Sequence, residues 1–128
     1  MMRVLSFSRM WAKLDNDTLT TFRFERKDKD WEVGEQVQMV FKARSPQRRV
    51  LGIAQIVDKA PRWVMNHWPG LGYAGYFNTP LVTEEEAVAD GFSSKKEMVE
   101  FIRKERQMLC VIKPLNKLTV RWLTRVSN

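Results

Sequence analysis

The chain has 128 residues, 44% apolar and 29% charged, which is the size and balance of one globular domain and excludes collagen-like, disordered and coiled-coil chains. Its 22 basic against 15 acidic residues leave a net charge of +7, an excess that favours a polyanionic partner, nucleic acid first. A single cysteine, Cys110, and a single histidine, His67, exclude an intrachain disulfide and a four-ligand Cys/His zinc site, so no disulfide partner, metal or other cofactor is expected.

The first residues, Met1 to Phe7, carry a positive charge but no extended apolar core. No apolar run is long enough for a membrane helix, so the expected location is the cytoplasm. Val4–Phe7 reads as a short strand. Ser8 is expected to cap a short helix with Met10, Trp11 and Leu14 on one side. Asp15-Asn16-Asp17 has the turn chemistry to stop it. Thr18–Phe24 is β-branched and aromatic and reads as a strand. A charged turn from Arg26 to Asp30 and a second turn from Trp31 to Glu35 follow, with Trp31 as a plug of the core. Gln36–Ala43 alternates Val37, Met39 and Phe41 with more polar neighbours, the period of a half-buried strand. After a loop at Ser45–Arg48, Val50–Val57 returns as a strand, with Gly52 marking a bulge or a close approach.

Residues 61–80 alternate Pro and Gly with Trp63, Trp68, Tyr73, Tyr76 and Phe77. This reads as a long ordered loop pinned by aromatics. Thr83 with Glu86 is a capping box opening a helix from Thr83 to Asp90. Ser94 with Glu97 opens a second over Lys95–Arg106, burying Met98, Phe101 and Ile102. Met108–Ile112 and Leu118–Val126 read as the last strands. Five or six short strands with few helices predict a single α+β domain over residues 1–128, a mixed β-barrel with short helices.

The charge is unevenly spread. Residues 42–62 hold six basic side chains against Asp58, and residues 103–128 hold seven against Glu105. Arg44, Arg48 and Arg49 flank a loop tip, where phosphate contact is natural. Trp63 and Trp68 are candidates to stack on bases. Thr21 and Arg23, two apart on a strand, point to one face.

Two stretches carry a family resemblance. One is Thr18-Leu19-Thr20-Thr21-Phe22-Arg23, followed by Asp30-Trp31-Glu32-Val33-Gly34-Glu35. The other is Leu81 to Phe92, ending in Ala89-Asp90-Gly91-Phe92. In this order they resemble the ASCH (activating signal cointegrator homology) domain, whose motif runs Gly-x-Lys-x-x-Thr-x-Arg. The resemblance implies a PUA-like barrel with an RNA-binding cleft beside it. It also implies that some small members are amidohydrolases of N4-acetylcytidine, using a lysine, a threonine and a carboxylate, and that others are nucleases.

Carried over by position, Thr21 and Arg23 match the end of the motif, and Asp90 stands where the amidohydrolases have Glu. Thr18 occupies the motif lysine's place and Asn16 the glycine's. Lys13 is the nearest lysine, on the preceding helix. A threonine at position 18 cannot serve as base for Thr21, so chemistry through Thr21 and Asp90 requires Lys13 to fold in. The leading expectation is therefore a binding module for RNA, single-stranded nucleic acid or a nucleotide, with Arg23 as its phosphate or base anchor. The alternative is a small amidohydrolase or ribonuclease using Thr21, Asp90 and Lys13.

Overall fold

The computed structural model describes residues 2–26, 28–63, 79–102 and 114–126. Among these residues five strands form one sheet: β1 (Arg3–Phe7), β2 (Thr18–Arg23), β3 (Gln36–Phe41), β4 (Arg49–Arg62) and β5 (Leu115–Arg125). Their order across the sheet is β1-β3-β4-β5-β2. β1 runs parallel to β3, and the other neighbours are antiparallel. β1 and β2, consecutive in the chain, are thus the two edges of the described sheet. The sheet curls into a half-barrel that brings these edges together, so that the Arg23 guanidinium on β2 lies 4.8 Å from the Phe7 ring centre on β1.

The period-two pattern fills the inside of the curl. Leu5, Phe7, Leu19, Val37, Met39, Ala54, Ile56, Leu118 and Val120 form one core, closed below by Trp31 at 4% exposure. A second core lies on the outer side of β2 and β5. There Phe22 and Leu115 pack against Ala87, Phe92, Met98 and Ile102 of the helical region. Apolar residues on both faces of β2 explain why Leu19 and Phe22 are both buried, three positions apart.

Several local expectations change in three dimensions. The segment after β1 is a single 3-10 turn, Ala12–Asp15, with Trp11 rather than Ser8 at its cap position. Trp11 and Leu14 pack inward as expected, but Met10 is 49% exposed. A 3-10 turn has three residues per turn, so the 3.6-residue stripe is not kept. β4 runs on to Arg62, beyond the expected end at Val57. Past Ile56 its partner among the described strands is β5, and Pro61, which has no N–H to give, is tolerated there. Register shifts at Met39/Val40, Ile53/Ala54 and Ile56/Asp58 tighten the curl. Gly52 sits at the first of these with φ +147, and a Cβ there would lie 2.2 Å from the Thr124 carbonyl oxygen.

Helix α1 is Glu84–Ala89, with both halves of the Thr83–Glu86 capping box formed. Residues 95–102 form helix α2 as far as it is described, and Ser94 Oγ accepts from the Glu97 N–H at 3.1 Å. His67, Trp68, Cys110, the strand expected over Met108–Ile112, most of the 61–80 loop and the end of the second helix lie outside the described residues. Among the described residues no helix is long and apolar enough to cross a membrane.

Candidate functional site

The inner lane of β2 runs Leu19, Thr21, Arg23. Leu19 belongs to the core, and the lane turns polar where it reaches the open end of the half-barrel. Thr21 is buried there at 4% exposure and Arg23 is half-buried. Arg23 Nε donates to Thr21 Oγ1 at 3.0 Å while its guanidinium lies on the Phe7 ring. This contact fixes the rotamers of both side chains and leaves the Thr21 hydroxyl proton free for another acceptor.

Asp90 arrives from the opposite side, and its position is built by backbone chemistry. It is the C-cap of α1. The Gly91 N–H donates to Val88 O and the Phe92 N–H to Ala87 O, the paired bonds of a Schellman ending. That ending requires a positive φ, and Gly91 has +115. The Trp11 ring also packs on this glycine so closely that a Cβ would lie 2.5 Å from Trp11 Cε3. Side-chain and backbone demands together therefore hold Asp90 against the 3-10 turn.

Lys13 completes the cluster. Its Nζ donates to Asp90 Oδ1 at 2.7 Å and to Thr20 O at 2.8 Å. The two side chains are 5% and 8% exposed. Burial pushes the Lys13 ammonium below its ordinary range, and Asp90 partly restores it. Burial likewise pushes the Asp90 carboxyl up, with Lys13 and then Arg23 opposing. Both effects favour the neutral partners and bring the pair's proton closer to being shared. Burial also lowers the Arg23 guanidinium to about 10, against the pull of Asp90.

These side chains line one cavity of about 140 Å³, walled by Phe7, Trp11, Phe92 and Phe101. Trp11 meets Phe92 edge-on at 5.2 Å, and Phe92 meets Phe101 at 5.4 Å. The volume is on the order of five waters at about 30 Å³ each. It is well short of the roughly 300–1,000 Å³ that encloses a drug-sized ligand. The cavity thus admits a ring or a small group, with the rest of a ligand outside. Outside lies a groove of about 1100 Å³ that shares Ser6 and Arg23 with the cavity and includes Arg26, Arg44 and Arg48. Arg3, also in its wall, is committed to both oxygens of Glu35 at 2.6 Å and to the carbonyls of Lys29 and Asp30. Arg26 pairs with Asp28 at 3.1 Å. Arg44 and Arg48 have no carboxylate within ion-pair distance among the described residues.

No family model, curated protein or solved structure matches this chain. The site is therefore read from its own geometry.

That geometry gathers Thr21, Arg23, Asp90 and Lys13 in one cleft, and puts Arg44 and Arg48 along its outer groove. It leaves the others elsewhere. Thr18 is exposed at the start of β2, opposite Arg121, and is on the other face from Thr21. Arg49 lines a separate crevice with Met10 and Trp122. Trp63 is buried at 3%, bridged to Leu81, and offers no ring to a base. It stands one residue past β4, whose extension the proline-rich pattern conceals. The aromatic walls carry only a core signal in the sequence. The signal for Lys13 is a charge set between the inward-packed Trp11 and Leu14. Among the described residues no three His, Cys, Asp or Glu side chains gather as metal ligands.

Proposed function

We propose that the cleft binds a single nucleobase of an RNA or other single-stranded chain, with the base edge in the cavity and the backbone along the basic groove. The observation that carries this is the join: a small ring-sized cavity with aromatic walls adjoins, across Ser6 and Arg23, a groove whose Arg44 and Arg48 have no carboxylate partner among the described residues. A base edge is read by hydrogen bonds, and a carboxylate accepts from the cytosine exocyclic amine. Asp90 is such an acceptor, and Lys13 and Arg23 are donors on either side for the ring nitrogen and carbonyl. The resemblance of Thr21, Arg23 and Asp90 to ASCH positions supports the same reading. The test is titration of a labelled single-stranded oligoribonucleotide at two salt concentrations. Affinity should fall with salt, with a log–log slope of about −0.7 per phosphate contacted. Absence of binding at low salt refutes the proposal.

A second reading, amide hydrolysis of an N4-acylated cytidine, is favoured by one observation. The resemblance lacks its lysine at position 18, and Lys13 lies bonded to Asp90 in the cavity that Thr21 lines. A lowered amine pKa leaves more of Lys13 as the free base near neutral pH, and a raised carboxyl pKa keeps more of Asp90 protonated. In this reading a water beside the Thr21 hydroxyl adds to the acyl carbon and loses its proton to Lys13, the carbon–N4 bond breaks, and the acyl group leaves as the free acid. Asp90 returns a proton to the departing amine. Release of cytidine from N4-acetylcytidine, lost in Thr21→Val and Lys13→Met, is the measurement. No release by the unaltered protein leaves binding alone.

A further inference from the structure

Arg9 lies in the exposed stretch between β1 and the 3-10 turn. Its guanidinium carbon is 5.0 Å from the Trp11 ring centre and 5.1 Å from that of Phe101. Both rings are walls of the cavity that holds Lys13, Thr21 and Asp90. No hydrogen bond or carboxylate among the described residues holds Arg9 in place. The contact to two rings of the cavity wall is what holds the side chain.

A guanidinium is flat, delocalised and stacks on aromatic faces, and a nucleobase is a flat ring that stacks on the same faces. We propose that Arg9 occupies the ligand's stacking position in the ligand-free protein, that an entering base displaces it from Trp11 and Phe101, and that the freed guanidinium then pairs with the phosphate next to that base. This rests on the base-binding reading above and adds a positioning residue to it. The contact is weak enough to exchange, because a cation–π pair at an exposed site contributes little. The phosphate Arg9 would meet belongs to the chain that Arg44 and Arg48 favour in the adjoining groove.

Such a residue acts with opposite sign on two ligands. For free cytidine, which has no phosphate, Arg9 only competes. For a short oligocytidylate it competes with the base but also holds the backbone. In Arg9→Ala, cytidine should therefore bind about two- to five-fold tighter, the equivalent of the ring contact given up. The oligocytidylate should bind more weakly at low salt, with its log–log salt slope reduced in magnitude by about 0.7. Arg9→Lys, which keeps the charge without the flat plate, should retain the salt slope. Quenching of tryptophan fluorescence reports cytidine binding, and anisotropy of the labelled oligomer reports the chain. If Arg9→Ala weakens both ligands, or changes neither, Arg9 is an ordinary contact or a bystander and the inference is overturned while the base-binding reading stands. If the unaltered protein binds neither ligand, the reading and the inference fall together.

Discussion

Removing one member of the Lys13–Asp90 pair tests whether the cleft's charges are truly desolvated. The Nζ–Oδ1 distance is 2.7 Å and the side chains are 5% and 8% exposed, so deleting either partner leaves the other buried with its charge uncompensated. Such a break costs about 3–5 kcal/mol. At roughly 4 °C per kcal/mol for a chain of this size, that is a melting temperature lower by about 12–20 °C.

The two single variants should then respond to pH in opposite directions. In Asp90→Asn the lone Lys13 amine is held below its ordinary value by burial. Between that lowered value and about 10.4 the unfolded chain binds more protons than the folded one, so stability rises with pH across the window. In Lys13→Met the lone Asp90 carboxyl is held above its ordinary value. The folded chain now binds more protons from about 3.9 up through the raised value, so stability falls as pH climbs. Replacing both by apolar residues, Lys13→Met with Asp90→Leu, should restore stability to within about 1 kcal/mol of the original or exceed it. Ligand binding should still be lost. Thermal melts from pH 4 to 10, each paired with an oligonucleotide titration, provide the readout (pH limits set by the roughly 3.9 and 10.4 reference values). Losses near zero with no pH slope in either single variant would refute the reasoning, because the pair would then be screened by solvent.

Gly91→Ala meets both a φ of +115 and the Trp11 ring. A loss of about 1–3 kcal/mol, with a shift in tryptophan emission, is expected in denaturant titrations. Thr83→Ala removes the acceptor for the Glu86 N–H and should cost about 1 kcal/mol. By loosening α1 and its C-cap Asp90 it should also weaken ligand binding at temperatures where the fold is intact. Gly52→Ala places a methyl 2.2 Å from the Thr124 carbonyl on a neighbouring strand; poor soluble yield and a broadened melt are the expected results. Arg44→Ala with Arg48→Ala should leave the melt unchanged and reduce the magnitude of the oligonucleotide salt slope by about 0.7 for each phosphate no longer neutralised.

Much of this architecture was legible residue by residue. Thr18–Arg23, Gln36–Phe41 and the core of β4 and β5 announce themselves by alternation and branching, because a strand's side chains alternate faces whatever lies opposite. Thr83 and Glu86 announce α1 because capping is a bond across one turn. For the same reason Thr21 and Arg23 could be placed on one face before any fold was known. Only the tertiary structure decided that β1 and β2 become facing edges, since strand order depends on contacts between distant segments. It alone extended β4 through Pro61, where the pairing described is with β5. It also decided the site. Lys13 and Asp90 are 77 residues apart, and no local propensity can relate them. Their meeting follows from the curl of the sheet, the 3-10 turn that spans its gap, and a glycine that lets Trp11 press against the end of α1.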